Sequence, residues 1–151
     1  MYKITSRTKF FLWYWILSFT WALPTTILGG LIALGLIITG HKPKRFINGH
    51  WYFPLASDWG LELGLFSIVD KEETEDLIAH EYGHHLQACF LLGPLTLFVA
   101  TIPSICRFWL MTWFPNSKLG KQDYDDFWVE GDATARGTWI KYLEDTKEWT
   151  K

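Results

Sequence analysis

Residues 77–88 read LIAHEYGHHLQA and gather three of the chain's five histidines, His80, His84 and His85, around one glutamate, Glu81. His80-Glu81-Tyr82-Gly83-His84 is an H-E-x-x-H pattern. On a helix, His80 and His84 lie one turn and about 40° apart, the separation at which two imidazoles reach one zinc ion. Glu81 falls about 100° from His80 and about 60° from His84, near the ion but outside its ligand positions. A carboxylate there can take the proton of a water whose pKa zinc lowers to about 7. Helix histidines making ordinary hydrogen bonds are the bland alternative. His85 points about 140° from His80 and reads as structural or supporting, and Gln87, about 20° from His80 two turns on, reads as a hydrogen-bonding partner.

Two histidines leave zinc in need of a third protein ligand and an open position. No histidine follows His85, and His41 and His50 lie upstream. The best downstream carboxylate is Glu130 in FWVEGDATARG, whose helix face Asp126, Thr134 and Gly137 share while Asp132 points the other way. Glu130 could equally be a solvated helix carboxylate.

The elements that must bring these groups together are legible in outline. Asp70 and Glu73 have the spacing of an N-terminal capping box, and five acids between Asp70 and Asp76 suit the positive end of a helix dipole. The histidines then sit on a helix of about six turns, ended by Gly93-Pro94. Before it, residues 45–70 mix aromatic and β-branched residues with Asn48-Gly49, Pro54, Asp58 and Gly60, which predicts two or three short strands. After it, an apolar stretch over 91–114 is interrupted by Pro94, Pro103 and Arg107, and an amphipathic helix follows from about Asp125 to Asp145. Proline removes a backbone donor and arginine is costly at mid-bilayer, so the stretch is expected to be a broken or re-entrant hairpin.

Hydrophobic patterning points to a membrane. Residues 10–40 contain no Lys, Arg, Asp, Glu or His. As a helix this run would extend about 46 Å against a hydrocarbon core of roughly 30 Å. Trp13, Trp15 and Trp21 crowd its first half, as indoles do at headgroup level, and no good cleavage site marks a signal peptide. Lys3, Arg7 and Lys9 precede it while Lys42, Lys44 and Arg45 follow, so the positive-inside rule gives no orientation. Pro24 divides the run, which could be a re-entrant hairpin between equally basic flanks or one Pro-kinked spanning helix; the single helix is expected, since either half alone would be too short to cross. A net charge of −2 offers no nucleic-acid surface, and Cys89 and Cys106 read as buried small hydrophobes.

HEYGHHLQ, an apolar stretch and then E-x-x-A on a later helix resemble the gluzincin metallopeptidases. The likeness is strongest to membrane-bound ones such as the bacterial heat-shock membrane protease and the CAAX prenyl protease group. Small uncharacterised membrane proteins with GPL and PS in the apolar stretch also look similar. The resemblance covers roughly residues 60–140. It implies His80, His84 and Glu130 as zinc ligands, Glu81 as catalytic base, and a bacterial cytoplasmic membrane as the location. One departure stands out: those families usually place Asp four residues after the ligand Glu to support a ligand histidine, and here that residue is Thr134. Asp126 could substitute, and Tyr124 or Arg136 could supply a transition-state donor.

The expected fold is therefore α+β, mainly α: a membrane-embedded zincin-like core with a small β-sheet before the active-site helix. Residues 1–44 would form an N-terminal membrane unit and 45–151 the catalytic domain with its inserted hairpin at about 91–114. The expected function is a zinc-dependent membrane endopeptidase acting on peptide or membrane-protein substrates, with the lipid bilayer as its other partner and no nucleic acid. A membrane scaffold or chaperone that binds metal without cutting is the second class. An intramembrane protease with the motif inside the bilayer is the third, disfavoured by the acidic DKEETED that opens the helix.

Overall fold

A computed structural model describes residues 6–57 and 59–149 of the chain, so Lys3 of the basic flank and Asp58 of the turn-rich segment lie outside the described residues. The fold is α+β and mainly helical, with one small mixed sheet. Helices α1 (Arg7–Ser18) and α2 (Leu23–Ile38) come first, and α1 is capped by the Ser6 hydroxyl, which accepts from the Lys9 N–H at 3.3 Å. They meet at 79°, so the single kinked helix expected over residues 10–40 is instead two. The break falls at residues 19–22, and Pro24 occupies the first turn of α2, where a missing N–H costs nothing.

Strands β1 (Lys44–Arg45), β2 (Trp51–Ala56), β3 (Leu61–Leu63) and β4 (Phe66–Asp70) form a sheet ordered β1-β2-β4-β3. β2 and β4 run parallel, with Phe53 opposite Ile68, while β3 and β4 form an antiparallel hairpin that leaves β3 at the edge. Gly64 turns that hairpin with φ +70°, and both Gly64 and Gly29 are needed because α2 packs backbone to backbone against it.

Helix α3 (Glu75–Gln87) begins four residues later than the capping box requires. Asp70 ends β4 instead, where its carboxylate accepts from the Glu72 N–H at 2.7 Å, and Glu73, at φ +53°, takes the Lys44 ammonium at 2.6 Å. Thr74 stands at the helix entrance and Glu75 and Asp76 fill its first turn. The helix widens into a π-type turn over Ala88–Leu92 and stops at Gly93, φ +53°. Past Gly93-Pro94 the chain turns by 106° into a second π-type turn (Leu97–Thr101) and α4 (Ile102–Trp113). Pro103 sits in the first turn of α4 and breaks nothing. Helix α5 (Trp128–Thr146) starts later than expected because residues 124–126 form a separate 3-10 turn.

The core lies where α1, α3 and α5 meet, around Tyr14, Tyr82, Leu86, Cys89, Ile140 and Leu143. An Arg7–Glu144 pair with two nitrogen–oxygen contacts of 2.6 and 2.9 Å ties α1 to α5. Cys89 is buried as expected, but Cys106 is exposed, since α4 buries none of its side chains fully. Among the described residues no single helix is long and apolar enough to cross a membrane, although the two bent pairs pass that test jointly.

Candidate metal centre

Helices α3 and α5 approach more closely than side chains of ordinary size permit. A β-carbon on Gly83 would strike the Ala133 carbonyl, and one on Gly137 would strike the Ala79 carbonyl. The reciprocal glycine contacts bring Glu130, in the first turn of α5, against the histidine face of α3. His80 Nε2 and His84 Nε2 each lie 3.1 Å from the same atom, Glu130 Oε2. One ligand atom from each of the three lies within 4.8 Å of the others. Glu130 is completely buried, and its second oxygen, Oε1, is buried without a hydrogen-bond partner.

Proton bookkeeping on His84 shows what this cluster wants. The Gln87 amide nitrogen donates to the Val129 carbonyl at 2.7 Å and to an Asp132 oxygen at 2.9 Å. Its oxygen, 3.0 Å from His84 Nδ1, must therefore accept, so His84 carries a proton on Nδ1 and turns the Nε2 lone pair toward Glu130. An imidazole lone pair and a carboxylate oxygen at hydrogen-bond distance are stable only with a proton, carried by either group, or a metal ion between them. Burial opposes a charge on His84, yet the Glu130 contact and the Glu81 and Glu130 charges outweigh it and lift its pKa to about 9. Burial likewise opposes ionisation of Glu130, but both histidines hold its carboxyl well below the usual range. The donor set, two imidazole nitrogens and one carboxylate, is one that could hold a metal ion.

No family model, curated protein or solved structure matches the chain. The reading of this centre therefore stands on its geometry.

Glu81 is buried at the wall of a cavity of about 580 Å³ that His80, His84 and Glu130 also line. Burial raises its pKa to about 7, with the histidines pulling down and the Glu130 and Glu62 charges pushing up. A carboxyl poised there can both take and return a proton near neutrality. The edge strand β3 and the Trp59-Gly60 segment form one wall, and Ile105 and Phe108 of α4 another.

His85 faces away from the centre, as its helical angle predicted: its Nδ1 lies 3.2 Å from Glu62 Oε1 and its Nε2 2.9 Å from the Ser18 hydroxyl. His50 is buried against Ser67, and His41 contacts Thr39, so neither belongs to the cluster. Tyr124 lines the cavity, and its phenol is pushed up by burial and by the Glu130 and Glu81 charges. Arg136 instead turns to Asp132 at 2.6 Å, outside the cavity lining.

Three features escaped the sequence reading. Glu62 is a third buried carboxyl of the cavity, raised by burial to about 8; the Leu61-Glu62-Leu63 alternation marked the strand but not which face was covered. Gly60 presses on the Glu81 carboxylate. Thr134 does reach a histidine of the cluster, with its hydroxyl 2.7 Å from His80 Nδ1. Asp126, the expected substitute, lies in the 3-10 turn before α5, off the helical wheel that placed it.

Proposed function

We propose that the chain is a zinc-dependent, membrane-associated endopeptidase. The observation that carries this reading is the convergence of His80, His84 and Glu130 on one point, with the buried Glu81 carboxyl beside them on a cavity wall. His80, His84 and Glu130 would hold the zinc, which would supply Lewis acidity to polarise a carbonyl and lower the pKa of water to about 7. Glu81 removes the proton from the attacking water and delivers it to the leaving amine; a pKa near 7 serves both transfers. The free edge of β3 offers backbone donors and acceptors to an extended peptide passing through the cavity.

The membrane setting is supported by exposed apolar side chains on the two bent helix pairs. Leu31 is 65% exposed, Ile38 75%, Phe98 69% and Trp113 66%, large apolar side chains left facing outward along both pairs. With no single crossing helix among the described residues, the pairs enter the bilayer as bent, re-entrant elements. The exposed Glu75 and Asp76 at the start of α3 keep that end of the site in water. The non-catalytic scaffold reading drew its support from Thr134, and the Thr134–His80 contact weakens it.

Metal analysis and hydrolysis test the proposal together. Wild type should carry about one zinc per chain, lost in His80→Ala and His84→Ala and strongly weakened in Glu130→Ala. Glu81→Gln should keep zinc yet lose cleavage of a peptide substrate. Hydrolysis surviving in Glu81→Gln would remove the assigned base, and zinc-loaded wild type without hydrolysis would favour the scaffold.

A further inference from the structure

The Thr134 hydroxyl has one proton and two polar neighbours. On one side lies His80 Nδ1 at 2.7 Å, and on the other the Asp125 Oδ1 at 3.3 Å. A carboxylate oxygen only accepts, so both contacts are satisfied together only when the hydroxyl proton goes to Asp125 and the hydroxyl oxygen accepts from His80 Nδ1–H. In that arrangement His80 carries its proton on Nδ1 and presents an Nε2 lone pair toward Glu130 Oε2, 3.1 Å away. The opposite tautomer would put a proton where a metal must bind. Thr134 thus does for His80 what Gln87 does for His84.

We propose that Thr134 is the positioning residue of His80, and that Asp125 acts behind it as a carboxylate working through a hydroxyl. The arrangement is assembled across a chain break in helicity. Asp125 sits on the 3-10 turn Tyr124–Asp126, and its N–H is held by the Asp123 side chain at 3.2 Å. Arg107 of α4 reaches over and donates to the Asp123 carbonyl at 2.9 Å. Gly131 lets α5 lie against the Asp125 carbonyl, where a β-carbon would intrude. The turn that carries Asp125 also carries Tyr124 of the cavity wall, so one short segment both shapes the cavity and sets the tautomer of a ligand histidine. Thr134 is half-buried whereas Asp125 is exposed, so water can replace much of the Asp125 contribution and little of the Thr134 one.

This inference rests on the zinc reading above, and the test separates the two. Zinc affinity of the purified full chain is measured by competition with a chromogenic chelator for wild type, Thr134→Val, Thr134→Ser and Asp125→Asn. Thr134→Val should bind about 10- to 100-fold more weakly, as loss of a partner behind a ligand histidine does. Thr134→Ser should stay within about threefold of wild type because it keeps the hydroxyl, and Asp125→Asn should lose only about two- to fivefold. Thr134→Ala, held to the same criterion, takes the place of Thr134→Val should the latter lose its helical content. Zinc binding by Thr134→Val within twofold of wild type, or by Thr134→Ser as weak as by Thr134→Val, would overturn the positioning role alone. Wild type that binds no zinc would overturn the zinc reading and this inference with it.

Discussion

Gly60 lies against the carboxylate of Glu81, so near that a β-carbon at position 60 would occupy the place of Oε1. The obstructed atom is the far end of a flexible side chain, so the fold can accept Gly60→Ala by letting Glu81 swing aside. Displacing a reacting group by about 1 Å can cost about 100-fold in rate. Gly60→Ala should therefore retain zinc and melt near the wild-type temperature while hydrolysis falls by about two orders of magnitude. Unchanged hydrolysis would show that Glu81 has room the geometry denies it.

The glycines between α3 and α5 behave differently, because what they press on is backbone. Gly83→Ala and Gly137→Ala each set a methyl against a carbonyl of the facing helix, which cannot swing away. The helices must separate, at a cost of about 1–3 kcal/mol or more, and Glu130 leaves the histidines. Both variants should lose stability and zinc together. Gly35→Ala meets nothing nearby on α2 and should be neutral or stabilising by about 0.5–1 kcal/mol. Equal melting temperatures for Gly83→Ala and Gly35→Ala would contradict the packing.

Glu62 gives a dependence on pH. The Ser18 hydroxyl donates to the Tyr14 carbonyl at 2.7 Å, so His85 donates to Ser18 through Nε2 and keeps a lone pair on Nδ1. Glu62, 3.2 Å from that lone pair, supplies the proton as a neutral acid. Burial raises its carboxyl from an ordinary 4.5 to about 8 while the His84 charge and the Gly64 N–H pull down, and burial holds His85 neutral to about 3. A raised carboxyl favours the folded state where it is protonated. Its contribution is full below about pH 4.5, declines as pH rises and is gone above about 8. Glu62→Gln cannot ionise and should be the more stable chain above pH 8, by a few kcal/mol at most. Denaturation of both proteins at pH 6 and pH 9 checks this. Glu81, also raised, contributes to the slope of both, so the difference between the two proteins is the quantity to read.

The bend after α3 makes a topological prediction. A turn of 106° between Leu95 and Leu97 brings the chain back, with Arg107 bonded to the turn before α5, so both ends of the apolar stretch should face one side of a membrane. Single cysteines at Glu72 and Lys118, in a background of Cys89→Ser and Cys106→Ser, should both react with a membrane-impermeant thiol reagent from the same side. Labelling from opposite sides would require a full crossing between the histidines and Glu130.

The spacing of His80, Glu81 and His84 and the face of Glu130 could be read from the sequence because each depends on one helical period. The start of α3 could not: Asp70 and Glu73 have the letters of a capping box, but the β4 ladder claims the first and Lys44 with Tyr52 the second. The break before Pro24 was misplaced for a related reason, since a proline fits the first turn of a new helix as readily as a kink. Thr134, Gly60 and Glu62 matter through partners 54, 21 and 23 positions away, and no local pattern encodes such pairs.

Glu130 enters the centre from α5, fifty residues after His80 and the last helix among the described residues. Synthesis runs in that order too. A chain emerging from the ribosome presents His80, Glu81 and His84 long before it can present the carboxylate that completes the cluster. The three-residue cluster is complete only when α5 docks through Gly83 and Gly137.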